Sequence, residues 1–194
     1  MSLIPLLVLV GGAILLKEIP TNWQILGVVL SLIGSVLFFS SGLMPGESQG
    51  FVILAIGLLG FMTFSLLGRG IAREKQLDTL RLTTLPLLIG GGVSILLAFI
   101  VEGMPQFSWQ GLLIVFWLAI INTALGYLLY NHSLQELTAL EMNMVMTLTP
   151  LFTALLGWLF LSETLSWMQI IGMLVVIGGV ILVQATANSQ ISKT

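Results

Sequence analysis

The chain has 194 residues, of which 57% are hydrophobic and 7% are charged, and its net charge is -2. A soluble domain carries about 25% charged residues, and a fold cannot hide so much apolar surface in its own core, so the composition indicates a protein that lies in lipid. The absence of cysteine excludes disulfides and thiolate metal sites. The lone His132 cannot form a histidine zinc site by itself. We expect no metal, no cofactor and no nucleic acid partner.

Seven apolar segments follow one another along the chain, each bounded by polar or turn residues. They cover roughly residues 2–17, 22–41, 50–70, 80–101, 108–131, 138–161 and 166–185. All but the first are long enough to cross about 30 Å of hydrocarbon at 1.5 Å per residue. Backbone groups in lipid must be satisfied within each segment, which favours helices. The sequence therefore predicts an all-α, polytopic membrane helix bundle of about seven transmembrane helices.

The short connections carry signals for the starts of helices. A Thr or Ser followed three residues later by Gln or Glu is typical of a capping box, in which each side chain bonds the other residue's backbone N–H. This pattern predicts helix starts after Thr21, Thr138 and Ser166. Ser108 is the predicted N-cap of the fifth segment.

Residues 4–37 and 149–182 are two copies of one segment, 145 positions apart, as in Pro5 and Pro150. Matches of Pro, Gly, Glu and Gln at one fixed offset are more specific than leucine matches in so apolar a chain. Such duplication is typical of membrane transporters. The matched pairs also include Gly12 and Gly157, Glu18 and Glu163, Gln24 and Gln169, Gly27 and Gly172, and Gly34 and Gly179.

The copies predict the domain organisation. We expect residues 1–42 to be the last two helices of a first repeat, residues 49–186 to be a complete second repeat of five helices, and residues 187–194 to be a short cytoplasmic tail. Residues 138–149 precede Pro150 within its helix, whereas only four residues precede Pro5. We therefore expect the chain to lack the start of its first repeat.

Loop charges predict the orientation in the membrane. Loops on one side hold all six basic residues, namely Lys17, Arg69, Arg73, Lys75, Arg81 and Lys193, and the opposite loops hold Glu47, Glu102 and Glu163. The positive-inside rule places the basic side in the cytoplasm, with the C-terminus inside and the N-terminus outside. Glu18 then lies inside and its copy Glu163 outside, so the sequence predicts a partial inverted repeat.

The run from residue 121 to 182 resembles the end of an EamA domain, in which L-x-E is followed by a Q-x-x-G helix. Leu161-Ser-Glu163 and Gln169-Ile-Ile-Gly172 carry this pattern, and Leu16-Lys-Glu18 and Gln24-Ile-Leu-Gly27 repeat it. The chain thus resembles the EamA-type transporters of the drug/metabolite transporter superfamily.

The resemblance implies ten helices in two inverted repeats and a central cavity built from both. It also implies a location in the bacterial inner membrane and export of small metabolites, amino acids or drugs by alternating access, without enzymatic activity. An alternative function is a truncated, non-transporting membrane fragment that needs a partner chain to complete the bundle. The expected partners are the lipid bilayer and a small-molecule substrate, with a homodimer or the missing N-terminal helices left open.

Helix 108–131 holds the first set of candidate substrate-binding residues, which are Trp117, Asn122, Thr123 and Tyr127. Polar side chains in a membrane span face protein or a water-filled cavity. They could therefore form a substrate wall or make interhelical hydrogen bonds and an interfacial aromatic belt. Both interpretations stay open for Asn122 and Tyr127. For Tyr130 and Asn131, near the predicted cytoplasmic end, we favour the structural one.

Helix 138–161 holds the second set. We expect Asn143 and Thr147 to face the cavity, and Pro150 to kink the helix and free a backbone carbonyl. Glu141 is the candidate for proton coupling, although its position also favours the capping box with Thr138. Three further residues are expected to be structural: Gly172 and Gly179, which are one heptad apart like Gly27 and Gly34 and so indicate a close helix contact, and Glu163, in its loop.

Overall fold

The computed structural model describes residues 3–40, 48–104 and 108–191, without the side chains of residues 48–49 and 187–191. Glu47 and Lys193, two of the loop charges, lie outside these ranges. All regular secondary structure within these ranges is helical. The helices are α1 (Ile4–Gly11), α2 (Asn22–Phe39), α3 (Ser48–Arg73), α4 (Thr79–Val101), α5 (Trp109–Trp117), α6 (Gly126–Glu136), α7 (Ala139–Met146), α8 (Thr149–Leu161) and α9 (Trp167–Ile191). Two π-helices, Gly12–Leu16 and Leu118–Leu125, follow α1 and α5.

Six helical stretches in the described ranges are long and apolar enough to cross a membrane. They are Asn22–Phe39, Gly50–Arg73, Thr79–Val101, Trp109–Ser133, Ala139–Leu161 and Trp167–Thr186. A seventh apolar helix, Ile4–Leu16, is shorter. The all-α prediction with about seven helices is therefore confirmed.

The predicted capping boxes form at three helix starts. At the start of α2, Gln24 N donates to Thr21 Oγ1 at 3.3 Å and Thr21 N donates to Gln24 Oε1 at 2.9 Å. The same reciprocal pairs join Thr138 with Glu141 and Ser166 with Gln169. The Ser108 hydroxyl accepts from the Gly111 backbone N–H at 3.1 Å, as an N-cap does.

The two copied segments also end their first helices in the same way. Lys17 and Ser162 occupy equivalent positions, and both have a left-handed backbone with φ of 57°. This conformation turns the chain, so the backbone N–H of Lys17 and that of Glu18 both reach the Gly12 carbonyl. The N–H groups of Ser162 and Glu163 reach the Gly157 carbonyl in the same manner. These caps satisfy carbonyls that the helix end would leave unpaired.

The described chain divides into two compact units. The first contains Met1–Leu67 and Thr138–Thr194, and the second contains Gly68–Leu137. The core of the first unit is an apolar cluster that joins α2, α7, α8 and α9. Its buried members are Val28, Phe38, Leu140, Met144, Leu151, Val176, Val180 and Val183.

The copied glycines bring α2 and α9 into backbone contact within the first unit. A methyl group built on Gly27 would lie 2.7 Å from the Gly179 carbonyl oxygen, and one built on Gly34 would lie 2.8 Å from the Gly172 carbonyl oxygen. No side chain fits at these positions unless the helices separate. The copied glycines of α2 and α9 therefore lie in a close helix contact.

The register of this contact shows that α2 and α9 are antiparallel. Moving forward along α2 from Gly27 to Gly34 moves backward along α9 from Gly179 to Gly172. Gly27 corresponds to Gly172 in the duplicated sequence, and Gly34 corresponds to Gly179. Exchanging the two copies therefore turns the pair Gly27–Gly179 into the pair Gly34–Gly172. The contact thus has an approximate two-fold symmetry.

Within the second unit, polar bonds join the end of α3 and Lys75 to the C-terminal end of α6. The Arg69 guanidinium donates to the Leu134 carbonyl at 2.7 Å and to the Gln135 carbonyl at 3.2 Å, and so caps this helix end. Lys75 Nζ lies 2.7 Å from Glu136 Oε1. The hydrogen bond from Lys75, followed by the charge of the same ammonium, lowers the pKa of the Glu136 carboxyl. Both side chains are exposed, so this ion pair contributes little to stability.

Two neighbouring glycines of α9 provide a matched test of the backbone contact. In Gly179→Ala the new methyl group would lie 2.5 Å from the Gly27 carbonyl oxygen, whereas Gly178 has open space around it. We expect Gly179→Ala to lower the free energy of unfolding by about 1–3 kcal/mol. Gly178→Ala should leave it unchanged or raise it by up to about 1 kcal/mol, because alanine favours helix. Thermal unfolding in detergent measures both, and equal effects of the two variants would contradict the packing.

Candidate functional site

The membrane span Trp109–Ser133 is not a regular α-helix at its centre. Residues Leu118–Leu125 form a π-helix, and Asn122 and Thr123 lie in it. In a π-helix each N–H bonds the carbonyl five residues back, and such segments often occur at functional sites. The sequence LAIINTAL contains no proline or glycine that would have indicated it.

The candidate residues of this span lie at its surface within the second unit. The side chains of Trp117, Asn122 and Tyr127 are exposed, and Thr123 is half-buried. No hydrogen bond of the Asn122 carboxamide is found in the described part of the chain. A lone amide at this depth is costly in lipid, so this face suits a polar ligand or a water-filled cavity.

The end of the same span is buried instead. Tyr130 and Asn131 have 6% and 4% of their surface exposed. The Asn131 amide donates to Thr83 Oγ1 of α4 at 3.1 Å, and the next turn repeats this tie with a 2.9 Å bond from Gln135 to Thr79. The structural interpretation of Asn131 is confirmed, because its amide joins two helices.

In the first unit, the predicted kink at Pro150 is a break between two helices. Helix α7 ends at Met146, α8 starts at Thr149, and Pro150 occupies the first turn of α8. Proline suits that position because its missing N–H would find no intrahelical partner there.

Asn143 and Thr147 are buried on the α7 side of this break. Asn143 Nδ2 donates to Ser65 Oγ of α3 at 2.6 Å and to the Ala139 carbonyl at 2.7 Å. Thr147 Oγ1 donates to the Met144 carbonyl at 2.6 Å. Both polar side chains therefore bond to protein groups, and Asn143 joins α7 to α3.

Glu141 makes its predicted capping box and also contacts two other helices. The side chain is 6% exposed. Its Oε2 accepts from Thr138 N at 2.9 Å, and its Oε1 accepts from Gln24 Nε2 of α2 at 3.3 Å. The Glu141 backbone carbonyl accepts from Gln184 Nε2 of α9 at 2.9 Å. The sequence indicated the box but gave no sign of these two glutamine partners.

A cavity of about 270 Å³ opens beside Glu141 within the first unit. Its apolar wall comes from α1, Ile19, Pro20 and Leu140. Its polar lining consists of Lys17, Glu18, Gln24, Thr138 and Glu141. A cavity with an apolar wall and a few convergent polar groups is the usual form of a small-ligand site.

The residues expected to be structural lie against backbone. Gly172 and Gly179 form the α9 side of the contact with α2. The Glu163 carboxylate folds back over Gly157, so a methyl group built on Gly157 would lie 2.5 Å from Glu163 Oε2. Within the described residues, no group of three or more His, Cys, Asp or Glu side chains could hold a metal ion.

Six candidate spans with polar side chains inside them define a multi-pass membrane protein of the α-helical class, which implies a lipid bilayer around it. A model of the EamA-like transporter family matches residues 48–185. The chain belongs to the EamA-like transporter family.

Curated bacterial proteins are similar to most of the chain. Protein PecM of Dickeya dadantii is 28% identical over 184 residues, which cover 94% of this chain and 62% of PecM. The uncharacterized transporter YyaM of Bacillus subtilis is 27% identical over 191 residues, covering 93% of this chain and 61% of YyaM. This chain thus spans about three fifths of the length of these relatives.

A shorter relative matches over nearly its whole length. The putative permease-like protein YdzE of Bacillus subtilis is 39% identical over 77 residues, which cover 99% of YdzE and 40% of this chain. No solved structure matches the chain.

Proposed function

We propose that the chain acts in a membrane transporter that exports small metabolites, amino acids or drugs by alternating access. The match of residues 48–185 to a transporter family carries this proposal. The exposed amide of Asn122, in a π-helix at the centre of a span, supports it further. A transporter needs polar groups at that depth to bind a substrate that lipid would exclude.

The proposed substrate wall is the exposed polar and aromatic face of span Trp109–Ser133. Asn122 and Thr123 would bond polar groups of the substrate, and the rings of Trp117 and Tyr127 would pack against its apolar parts. Asn143 and Thr147 remain predicted substrate ligands, although their hydrogen bonds to Ser65 Oγ and the Met144 carbonyl favour a role in holding α7.

We also propose that the two copied segments are halves of an inverted repeat, with residues 1–42 ending the first and residues 49–186 forming the second. The antiparallel contact of α2 with α9 supports this, because helices at equivalent places in inverted repeats run in opposite directions. The loop charges then place the C-terminus in the cytoplasm and the N-terminus outside.

The proposed coupling ion is the proton, and its proposed carrier is Glu141. Glu141 is the only acidic residue within the six candidate spans. It lies at the wall of a cavity, which would allow it to exchange a proton with water. Buried carboxylates inside membrane spans are typical of proton pathways.

Two alanine variants test the substrate wall. In proteoliposomes that hold the purified chain and a panel of amino acids, small metabolites and cationic drugs, Asn122→Ala should lower the efflux rate of a transported compound about 5- to 30-fold, as expected for one or two lost hydrogen bonds. Its unfolding temperature should not change. Asn143→Ala should lower the unfolding temperature, because its buried hydrogen bonds to Ser65 Oγ and the Ala139 carbonyl are lost.

Unchanged efflux in Asn122→Ala, alongside an active native chain, would contradict the proposed wall. A folded native chain that exports nothing in the panel would favour the alternative, a fragment that works only with a partner chain. Adding a partner chain that completes the helix bundle to the same vesicles should then produce efflux.

Single cysteines test the orientation cleanly, since the chain has none of its own. In intact cells, a membrane-impermeant thiol reagent should label Glu102→Cys and should label Arg73→Cys only after the membrane is opened. The reverse pattern would contradict both the orientation and the inverted repeat.

A further inference from the structure

Two capping boxes meet in the first unit, and the side chains at their N3 positions are hydrogen-bonded to each other. Gln24 belongs to the box at the start of α2, and Glu141 belongs to the box at the start of α7. Both side chains are at least nine-tenths buried. The 3.3 Å bond from Gln24 Nε2 to Glu141 Oε1 therefore joins two helix starts that are 117 residues apart.

The first box fixes which end of the Gln24 amide faces Glu141. Gln24 Oε1 accepts from Thr21 N at 2.9 Å, which leaves the NH₂ group to point at Glu141. A carboxylate can only accept, and each Glu141 oxygen already accepts one N–H. Each of these hydrogen bonds therefore has its donor and its acceptor while Glu141 is ionised. A proton on either oxygen weakens the hydrogen bond which that oxygen accepts.

The cavity supplies the route for such a proton. Glu141 and Gln24 both line it, and the charged groups beside them are Lys17 and Glu18, from the segment that joins α1 to α2. Among the described side chains of α9, the neutral Gln184 amide bonds the Glu141 backbone carbonyl. Val8 and Leu9 of α1, and Gly12 of the π-helix that follows it, also line the cavity and carry no charge.

We propose that Gln24 is a positioning residue for Glu141, and that their hydrogen bond is a latch between α2 and α7 which opens when Glu141 takes up a proton from the cavity. In this step a hydronium ion gives its proton to Glu141 Oε1, which leaves water and a neutral carboxylic acid. The hydrogen bond that Oε1 accepts from Gln24 Nε2 is then weakened, and α7 is held less tightly to α2. This inference rests on the proposed proton coupling. It assigns the movement of α7 relative to α2 to the hydrogen bond between Gln24 and Glu141.

Exchanging Gln24 and Glu141 tests the latch without disturbing the caps, because both Gln and Glu occur at the N3 position of a capping box. In Glu141→Gln two NH₂ groups face each other, and in Gln24→Glu two carboxylates do. In the double exchange, Gln24→Glu with Glu141→Gln, the donor and the acceptor trade places and the bond forms again. Gln169→Glu is the matched control, because it makes the same change in the copied box of α9.

The readout is the reaction of Val8→Cys with a small thiol reagent. Val8 lines the cavity and is 1% exposed. Each labelling rate is divided by that of the unfolded chain at the same pH. In the native background we expect labelling to increase as the pH falls. Glu141→Gln should label roughly 3- to 15-fold faster, the range for losing one interhelical hydrogen bond, and without dependence on pH. The double exchange should restore slow, pH-dependent labelling, and Gln169→Glu should behave as the native chain.

Native labelling in Glu141→Gln, or a double exchange that labels as fast as Glu141→Gln, would overturn the latch. The measurement needs no substrate. A chain that shows the restored latch but no efflux would therefore count against the proposed transport while supporting the latch.

Discussion

The first unit is built on the approach of α2 and α9 to backbone distance at Gly27, Gly34, Gly172 and Gly179. Lipid tails are as apolar as leucine, so burying apolar side chains gives little reason for two helices to associate in a membrane. Close van der Waals contact provides that reason, and it requires positions without side chains. The glycines supply them at a spacing of seven residues, which keeps them on one face of each helix.

This contact also places the groups around Glu141. Helix α2 carries Gln24 to the Glu141 carboxylate, and α9 carries Gln184 to the Glu141 backbone. The start of α7 is thus held by the same two helices that the glycines hold together. A change in the α2–α9 distance would alter both bonds, which makes Glu141 sensitive to the packing of the copied helices.

Polar side chains of the second unit fall into two groups. Near helix ends they are paired, as in the bond of Asn131 with Thr83 and the cap from Arg69 to the Leu134 carbonyl. At the centre of span Trp109–Ser133, Asn122 is exposed in a π-helix. Pairing at the ends stabilises the fold, whereas the exposed Asn122 amide makes no such contribution, which supports the binding role that we propose for it.

Local signals allowed much of this to be predicted. Hydropathy indicated the spans, the Thr–Gln and Thr–Glu spacings indicated the capping boxes, and the repeated glycines indicated a close contact. Pro150 indicated an interruption, although the sequence predicted a kink and the structure has a break. The bonds from Gln24 to Glu141 and from Asn143 to Ser65 join residues that are 117 and 78 positions apart, and no local pattern specifies such pairs. The π-helix at Leu118–Leu125 also lacked a signal, because its residues suit an α-helix equally well.

Disulfide formation in the membrane tests the antiparallel α2–α9 contact most directly. A Cβ built on Gly179 lies 3.1 Å from Ser31 Cβ. The small separation of the helices that a side chain at Gly179 requires brings this pair to the roughly 3.5–4.5 Å of a disulfide. Ser31→Cys with Gly179→Cys should therefore cross-link rapidly under mild oxidation. Ser31→Cys with Gly172→Cys should not, because Gly172 lies about 10 Å further along α9. Preferential cross-linking of the second pair would contradict the antiparallel register and the inverted repeat built on it.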